Sequence, residues 1–380
     1  MQVIHASCYV DLVGRRPLDL LKAWPTLTDV AASAVGDGVE VAVVQAATED
    51  AVVSSNEVSC HFVADYRRSF WRPGRPFVAS SRPRKLTAKV QELEPDIVHL
   101  HGLGFTRQAD FIARSLRHTP VFVQDHADRP RRRRLFGPGS GPARGIAGVG
   151  FTSREMAQPF VEAGVLARDT RVFEILESSS RFAPGSQEEA RAECGIYGDP
   201  CLLWVGRLAS VKDPLTVLRA ASEAFPRLKD PHMWCYYGDA PLLDEVHRRI
   251  AADERLASRV HLMGSVPHPD VEKLLRAADF LMLGSLSEGS GYAVIEALAC
   301  GTTPLVTDIP AFRRITRNGA VGALSEPGNA RAMAEAVIEW SERDRRALRD
   351  TARAHFERSL SFEVLGEELR ATYRALLGVG

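Results

Sequence analysis

The stretch FLMLGSLSEGSGYAVIEALACGTTPLV, Phe280–Val306, decides the fold. Two apolar runs, Phe280–Leu283 and Thr303–Val306, bracket a glycine-punctuated loop and an apolar helical segment from Tyr292 to Ala299. Strands that are apolar throughout, rather than alternating, belong in a parallel sheet covered on both faces, and parallel neighbours are joined by a crossover helix. The stretch is therefore a strand–helix–strand unit. In open α/β sheets ligands gather beyond the carboxyl ends of the strands, which places the loop Ser287–Tyr292 where chemistry is expected.

The same rhythm extends in both directions. Strands are predicted at Cys201–Val205, His232–Tyr237 and Val260–Met263, with helices at Pro214–Phe225, Pro241–Ala251, Pro269–Ala277 and Ala330–Trp340. The first half repeats the pattern. Its strands are predicted at Val3–Ala6, Val39–Val44, Ile97–Leu100, Val121–Gln124 and Ala147–Phe151, with helices such as Arg84–Leu93 and Thr106–Arg117. Thr152-Ser153-Arg154-Glu155 fits a capping box with Thr152 as the N-cap. Glu177–Pro200, with Ser178-Ser179-Ser180 and Pro184-Gly185-Ser186, interrupts the alternation and reads as a linker. The expected architecture is α/β: two tandem Rossmann-like, doubly wound domains facing a central cleft, spanning 1–180 and 195–360. A helical tail at 361–380 is expected to cross back to the first domain.

Composition narrows the function. With 380 residues, two domains is the prior. Lys plus Arg and Asp plus Glu both number 48, so the formal net charge is zero, which argues against a general nucleic-acid binder. No apolar run reaches the ~20 residues of a membrane span. The six cysteines form no C-x-x-C pair and read as reduced thiols. A cytoplasmic location, peripheral to the inner face of a membrane in one version, is the expectation.

Four loops carry the chemistry. Gly206–Lys212 offers a glycine turn with two cations, Arg207 and Lys212, suited to a diphosphate. In Ser287–Tyr292, Gly289 and Gly291 let free backbone N–H groups at a helix start approach an anion. Glu296 lies five residues into that helix, roughly 7–8 Å from Gly291, about the distance from a diphosphate to its ribose hydroxyls. Gly264-Ser265-Val266 and Tyr237–Pro241 complete the set, the latter with Pro241 opening a helix. Each loop alone also reads as surface punctuation.

Together they match a known family. The half resembles retaining glycosyltransferases of the GT-B fold, in particular glycosyltransferase family 4. The resemblance rests on GRLASVK (206–212), YGDAPLLDEV (237–246), GSVPHPDV (264–271) and SEGSGYAVIEALACGTTPLV (287–306), the last with an E-x7-E spacing at Glu288 and Glu296. It covers about Cys201 to Trp340. It implies that Arg207 and Lys212 hold the donor diphosphate, that Glu296 binds the ribose, and that Glu288 faces the transferred sugar. Gly291 and Tyr292 complete the phosphate cradle, and Val266 lies beside the base. Gly238, Gly289 and Ser290 join the donor site. The family needs no metal and no cofactor beyond the nucleotide-sugar substrate, here expected to be a UDP-sugar.

In the first half, Pro95–Gly102 looks like the family's strand and loop before the cleft. His99 reads as structural and His101 as a site-lining residue. The strand Val121–Gln124 delivers Asp125 and His126. In similar enzymes a histidine here reaches the transferred sugar, which makes His126 a catalytic candidate beside Glu288, Arg207 and Lys212. Gly14 stands where the family has a Gly-Gly loop, and Ser290 replaces the usual Phe. Tyr66–Gln91 carries eight basic residues and no acidic one, and Arg129 and Arg131–Arg134 form a second run. These read either as solvated loops or as a basic lip for an anionic or membrane-held acceptor. The glycine-rich Gly137–Gly141 is no P-loop, since no G-K-[ST] follows. Two alternatives stand beside a glycosyltransferase: a nucleotide-sugar 2-epimerase of the same fold, and a non-catalytic nucleotide-sugar-binding subunit.

Overall fold

A computed structural model describes residues 1–68, 76–126, 130 and 145–379. Arg129, Arg131–Arg134, Gly137–Gly141 and part of the basic segment after Tyr66 lie outside these residues. The chain forms two compact units, Met1–Ser178 with Phe362–Gly380, and Ser179–Ser361.

The first unit is built on β1 (Gln2–Ser7), β2 (Glu40–Ala47), β3 (Ala51–Ser55), β4 (Val58–Ala64), the short pair β5 (Tyr66–Arg68) and β6 (Phe77–Ala79), then β7 (Ile97–His101), β8 (Val121–Gln124), β9 (Ile146–Phe151) and β10 (Val172–Glu174). Eight of these form one sheet in the order β10-β9-β8-β7-β1-β2-β4-β3, parallel except for β3. The order reverses between β1 and β7, which are in register from Val3 opposite Ile97 to Ser7 opposite His101. The β3–β4 hairpin is absent from the sequence reading. Its turn is Asn56-Glu57, both at positive φ (50° and 66°), and β3, Ala-Val-Val-Ser-Ser with Val52 and Ser54 exposed, lacks the continuous apolar run of its parallel neighbours.

The second unit contains β11 (Cys201–Gly206), β12 (His232–Tyr237), β13 (Val260–Gly264), β14 (Phe280–Leu283), β15 (Thr303–Thr307) and β16 (Ala323–Ser325). They form a parallel sheet in the order β13-β12-β11-β14-β15-β16. Its order reverses between β11 and β14, so the loops Gly206–Lys212 and Gly284–Gly291 leave the sheet side by side. That is the position at which α/β sheets hold ligands.

Three local readings are corrected. No side-chain cap forms at the Thr152–Glu155 box: Ser153 is the N-cap of a 3-10 turn, Arg154–Ala157, and makes no capping bond. The Arg154 N–H donates instead to Glu174 on β10 (3.1 Å). Pro241 does not open its helix, which starts at Leu243. The stretch from Ser179 to Pro200 belongs to the second unit and contains the helix Gln187–Cys194. Ser186 caps that helix by accepting from the Glu189 N–H, and Arg191 ties it to Asp279 (2.9 Å). The tail divides into Arg345–Ser359 in the second unit and Phe362–Leu377 in the first. All six cysteines are free, five of them buried. Among the described residues no helix is long and apolar enough to cross a membrane.

Candidate functional site

At the switch point of the second unit three loops are bound to one another by backbone hydrogen bonds. The Leu208 N–H donates to the Asp239 carbonyl (2.9 Å), the Leu242 N–H to the Leu208 carbonyl (2.9 Å), and the Leu286 N–H to the Val211 carbonyl (2.8 Å). Gly284 permits this approach, because a Cβ there would stand 2.8 Å from the Asp213 carbonyl oxygen. Asp213 caps the following helix, its carboxylate accepting from the Thr216 N–H (3.2 Å) with Pro214 in the first turn. Thr307 Oγ1 on β15 donates to the Ser285 carbonyl (2.5 Å) and fixes the far side.

On this frame lie the charged groups. Lys212 Nζ donates to Glu288 Oε1 (2.5 Å), and Ser285 Oγ donates to the same oxygen (2.6 Å). The two charged side chains keep 21% and 12% of their surface, so the pair is drawn in yet reachable. Arg207 is exposed and has no ion-pair partner among the described residues. Three residues after Glu288, Gly291 adopts a left-handed conformation (φ 64°) as the N-cap of Tyr292–Ala299. A Cβ there would meet Ile315 Cδ1 at 2.6 Å, so this position requires glycine sterically and conformationally. Gly289 and Ser290 are buried and Tyr292 is half-buried. The helix start lies next in the chain to the Lys212–Glu288 pair, with the Val294 and Ile295 N–H groups donating to the Gly291 carbonyl (2.9 and 3.2 Å).

Glu296 projects from the same helix and is 9% exposed. It accepts from His268 Nε2 (2.6 Å), a residue in the loop-to-helix step after β13, and this bond raises the His268 pKa above its usual value. Val266 is half-buried two residues earlier, and Gly238 is exposed in the loop after β12. The structure thus joins Lys212 to Glu288 on one tier of loops. His268, Ser285 and Asp213 are additions that sequence reasoning missed. His268 lies inside the quoted GSVPHPDV segment, so its signal was present.

The first unit's switch point is lined differently. His101, at the end of β7, is 5% exposed, and His5 and His99 are fully buried in register on β1 and β7. Burial drives the His5 pKa down to about 3 and holds those of His99 and His101 well below the usual value. His126 stands just after β8, its Nδ1 2.7 Å from Glu177 Oε1 and its Nε2 2.9 Å from His101 Nδ1. Both ring nitrogens are therefore engaged within the unit, so a contact with a sugar would use the ring edge or the backbone. Asp125 is buried, its N–H donating to the Gly150 carbonyl (2.9 Å). Gly14, in the loop after β1, has φ 76° and lies against Phe77, whose Cε2 would be 2.5 Å from an added Cβ. Its loop is closed by Asp11, which accepts from the Arg15 N–H (2.7 Å). Ring nitrogens of His5, His99 and His101 lie within 4.8 Å of one another, a spacing a metal could use. Five of the six are already hydrogen-bonded, and only His99 Nε2 is not.

Known proteins share this fold and part of this sequence. Residues 186–355 match the family model described as glycosyl transferases group 1. A D-inositol 3-phosphate glycosyltransferase from Nocardia farcinica is 32% identical over 38% of this chain and 34% of its own length. D-inositol 3-phosphate glycosyltransferase 1 from Catenulispora acidiphila is 26% identical over 75% of this chain and 73% of its own. The chain thus spans about a third of one of these curated relatives and about three quarters of the other. Among solved structures, a glycosyltransferase from Rickettsia africae superposes with a TM-score of 0.69 at 15% identity, covering 99% of this chain and 98% of that one. HepE of Anabaena in complex with UDP gives 0.65 at 16%, covering 99% and 100%. Residues 186–355 are thus similar in sequence to the glycosyl transferases group 1 model, on a chain with the fold of GT-B glycosyltransferases.

Proposed function

We propose that this protein transfers a sugar from a nucleoside-diphosphate sugar, a UDP-sugar in our reading, to an acceptor hydroxyl with retention of anomeric configuration and without a metal. The observation that carries the proposal is the Lys212–Glu288–Ser285 cluster three residues before the left-handed Gly291 cap, at the strand-order reversal of the second unit. Heterolysis of the sugar–phosphate bond builds negative charge on the leaving diphosphate. Arg207, Lys212 and the N–H groups of Gly291 and Tyr292 supply fixed donors to that charge, and one such preorganised donor is worth roughly 3–4 kcal/mol. Glu288 holds Lys212 in place and faces the transferred sugar, while Glu296 takes the ribose hydroxyls in exchange for His268.

The acceptor falls to the first unit and is anionic in this reading. The basic residues between Tyr66 and Gln91 and at Arg131–Arg134 support it, as do relatives named for D-inositol 3-phosphate, a phosphorylated polyol. A thermal-shift screen of UDP, GDP, ADP and their sugars tests the donor, since a ligand at a hundred times its Kd adds about 2.7 kcal/mol of stability. Product anomers read by NMR decide retention. Activity abolished by EDTA and restored by Mg²⁺ would remove the role given to Arg207 and Lys212. Neutralising Arg131–Arg134 should raise the acceptor KM and leave donor affinity unchanged.

A further inference from the structure

Six side chains of the first unit form one unbroken hydrogen-bonded line. From the far end they are His99 Nδ1 to Tyr373 Oη (2.7 Å), Tyr373 Oη to His5 Nε2 (3.0 Å), His5 Nδ1 to His101 Nε2 (2.9 Å), His101 Nδ1 to His126 Nε2 (2.9 Å), and His126 Nδ1 to Glu177 Oε1 (2.7 Å). Four of the six, His5, His99, His101 and Tyr373, are 5% exposed or less. They are closed to bulk solvent, and each bond needs one donor and one acceptor.

With Glu177 as an acceptor and a single proton on His126, the direction of every bond follows from that end. An ionised carboxylate only accepts, so the His126 Nδ1–H donates to Glu177. A neutral imidazole has one N–H, which leaves His126 Nε2 an acceptor and makes His101 Nδ1–H its donor. The same step fixes His5 as Nδ1–H toward His101, the Tyr373 hydroxyl as donor to His5 Nε2, and His99 as Nδ1–H toward Tyr373. His99 Nε2 is then left bare, and it has no partner in the structure. Gln124 Oε1 is also an unpartnered buried acceptor, and Gln124 favours the protonated form of His99. The reversed line would place an N–H on His99 Nε2 beside that acceptor. With Glu177 ionised, however, reversal would demand an additional proton on His126. The line has two complete arrangements, and Glu177 selects one of them.

We propose that Glu177 sets the tautomer of all four histidines through this line, and that His101, His5 and Tyr373 are positioning residues that hold the His126 ring against Glu177. The role of His126 at a sugar rests on the transferase reading above; the line itself does not. Two ends of the unit, the loop after β8 and the helix Phe362–Leu377, are thereby joined by an element with two discrete states.

Histidine-selective ¹⁵N labelling and ¹⁵N–¹H long-range correlation at pH 7 test this on the full chain. In the wild type, His5, His99, His101 and His126 are expected as Nδ1–H tautomers. In Glu177→Gln the side-chain amide can donate as well as accept. The line can then reverse with its total proton count unchanged: one proton moves along each bond from His99 to His126, one leaves His126 Nδ1 to solvent, and one is taken up from solvent at His99 Nε2. His99, which Glu177 does not touch, is expected to gain the Nε2–H tautomer. Tyr373→Phe cuts the line, so adding Glu177→Gln to it should leave His99 unmoved. A wild type with these histidines mainly as Nε2–H, or a Glu177→Gln protein changed at His126 alone, would overturn the proposal. Should Tyr373→Phe fail to fold, the Glu177→Gln arm still decides. In transfer assays Glu177→Gln should lower kcat several-fold with donor Kd unchanged; an unchanged kcat would remove the positioning role. Absence of transfer by the wild type itself would sink the transferase reading and leave the ¹⁵N result standing.

Discussion

The two units place a strand-order reversal at the same kind of edge and line it with opposite electrostatics. Between β11 and β14 the second unit sets Lys212 against Glu288, leaves Arg207 in water and brings in a helix start capped by the left-handed Gly291. Between β1 and β7 the first unit sets three histidines that burial keeps neutral. One edge carries charged side chains and the other excludes charge from its interior. Topology thus fixes where a ligand site can form, and the residues at the strand ends fix what it can hold.

Acid should break this comparison first. The unfolded chain protonates His5, His99 and His101 near pH 6.5, whereas the folded first unit resists until far lower, about 3 for His5. Depressed folded values mean that the unfolded state binds more protons. Stability is therefore full above about pH 6.5 and declines below it, by about 1.4 kcal/mol per pH unit for each such histidine. Three together give about 4 kcal/mol between pH 6 and 5. Hydrogen exchange should show β1 and β7 losing protection well before β11 and β14, since the second unit's described histidines with lowered values are His355 and the only partly buried His261. Equal losses in both sheets would contradict the contrast.

Next in size, Glu296→Ala should weaken nucleotide binding by roughly 2–3 kcal/mol, the worth of hydrogen bonds to a charged group. Calorimetry with a 2′,3′-dideoxy nucleotide should show almost no loss; equal losses with both ligands would take Glu296 off the ribose. Gly291→Ala should lower stability by about 1–2 kcal/mol from the left-handed backbone alone, with more from the Ile315 contact, read as a fall in Tm. The smallest effect is at His268, whose pKa is raised by Glu296. That contribution is complete below about pH 6.5 and fades as pH climbs through the raised value, and at an exposed side chain it stays under ~1 kcal/mol. Wild type and His268→Ala should therefore differ in Tm at pH 6 and converge at pH 9.

The second unit was the more legible from sequence. Its strands are continuous apolar runs and its site lies in loops directly after them, so Arg207, Lys212, Glu288 and Glu296 could be named from spacing. Much of the first unit's site is assembled across the chain. His5 and His99 appear in sequence as single polar residues within apolar strands, and only their register makes them neighbours. Tyr373 is 274 residues from His99 and carries no local mark of its role. The β3–β4 hairpin was missed because a strand with one wet face lacks the continuous apolar signature of its parallel neighbours.

The helix Phe362–Leu377 belongs to a unit whose other residues end at Ser178. Synthesis therefore delivers the whole of the second unit before the first can close. At 5–20 residues per second the ribosome needs roughly 10–40 seconds to cover that interval. During it the emerging amino-terminal sheet lacks Tyr373, and His5 and His99 lack the hydroxyl that joins them. The usual vectorial order is inverted, with the later-made unit able to mature first. A nascent chain stalled near residue 361 would present a finished second unit tethered to an unsealed first one, a species on which chaperone capture would concentrate.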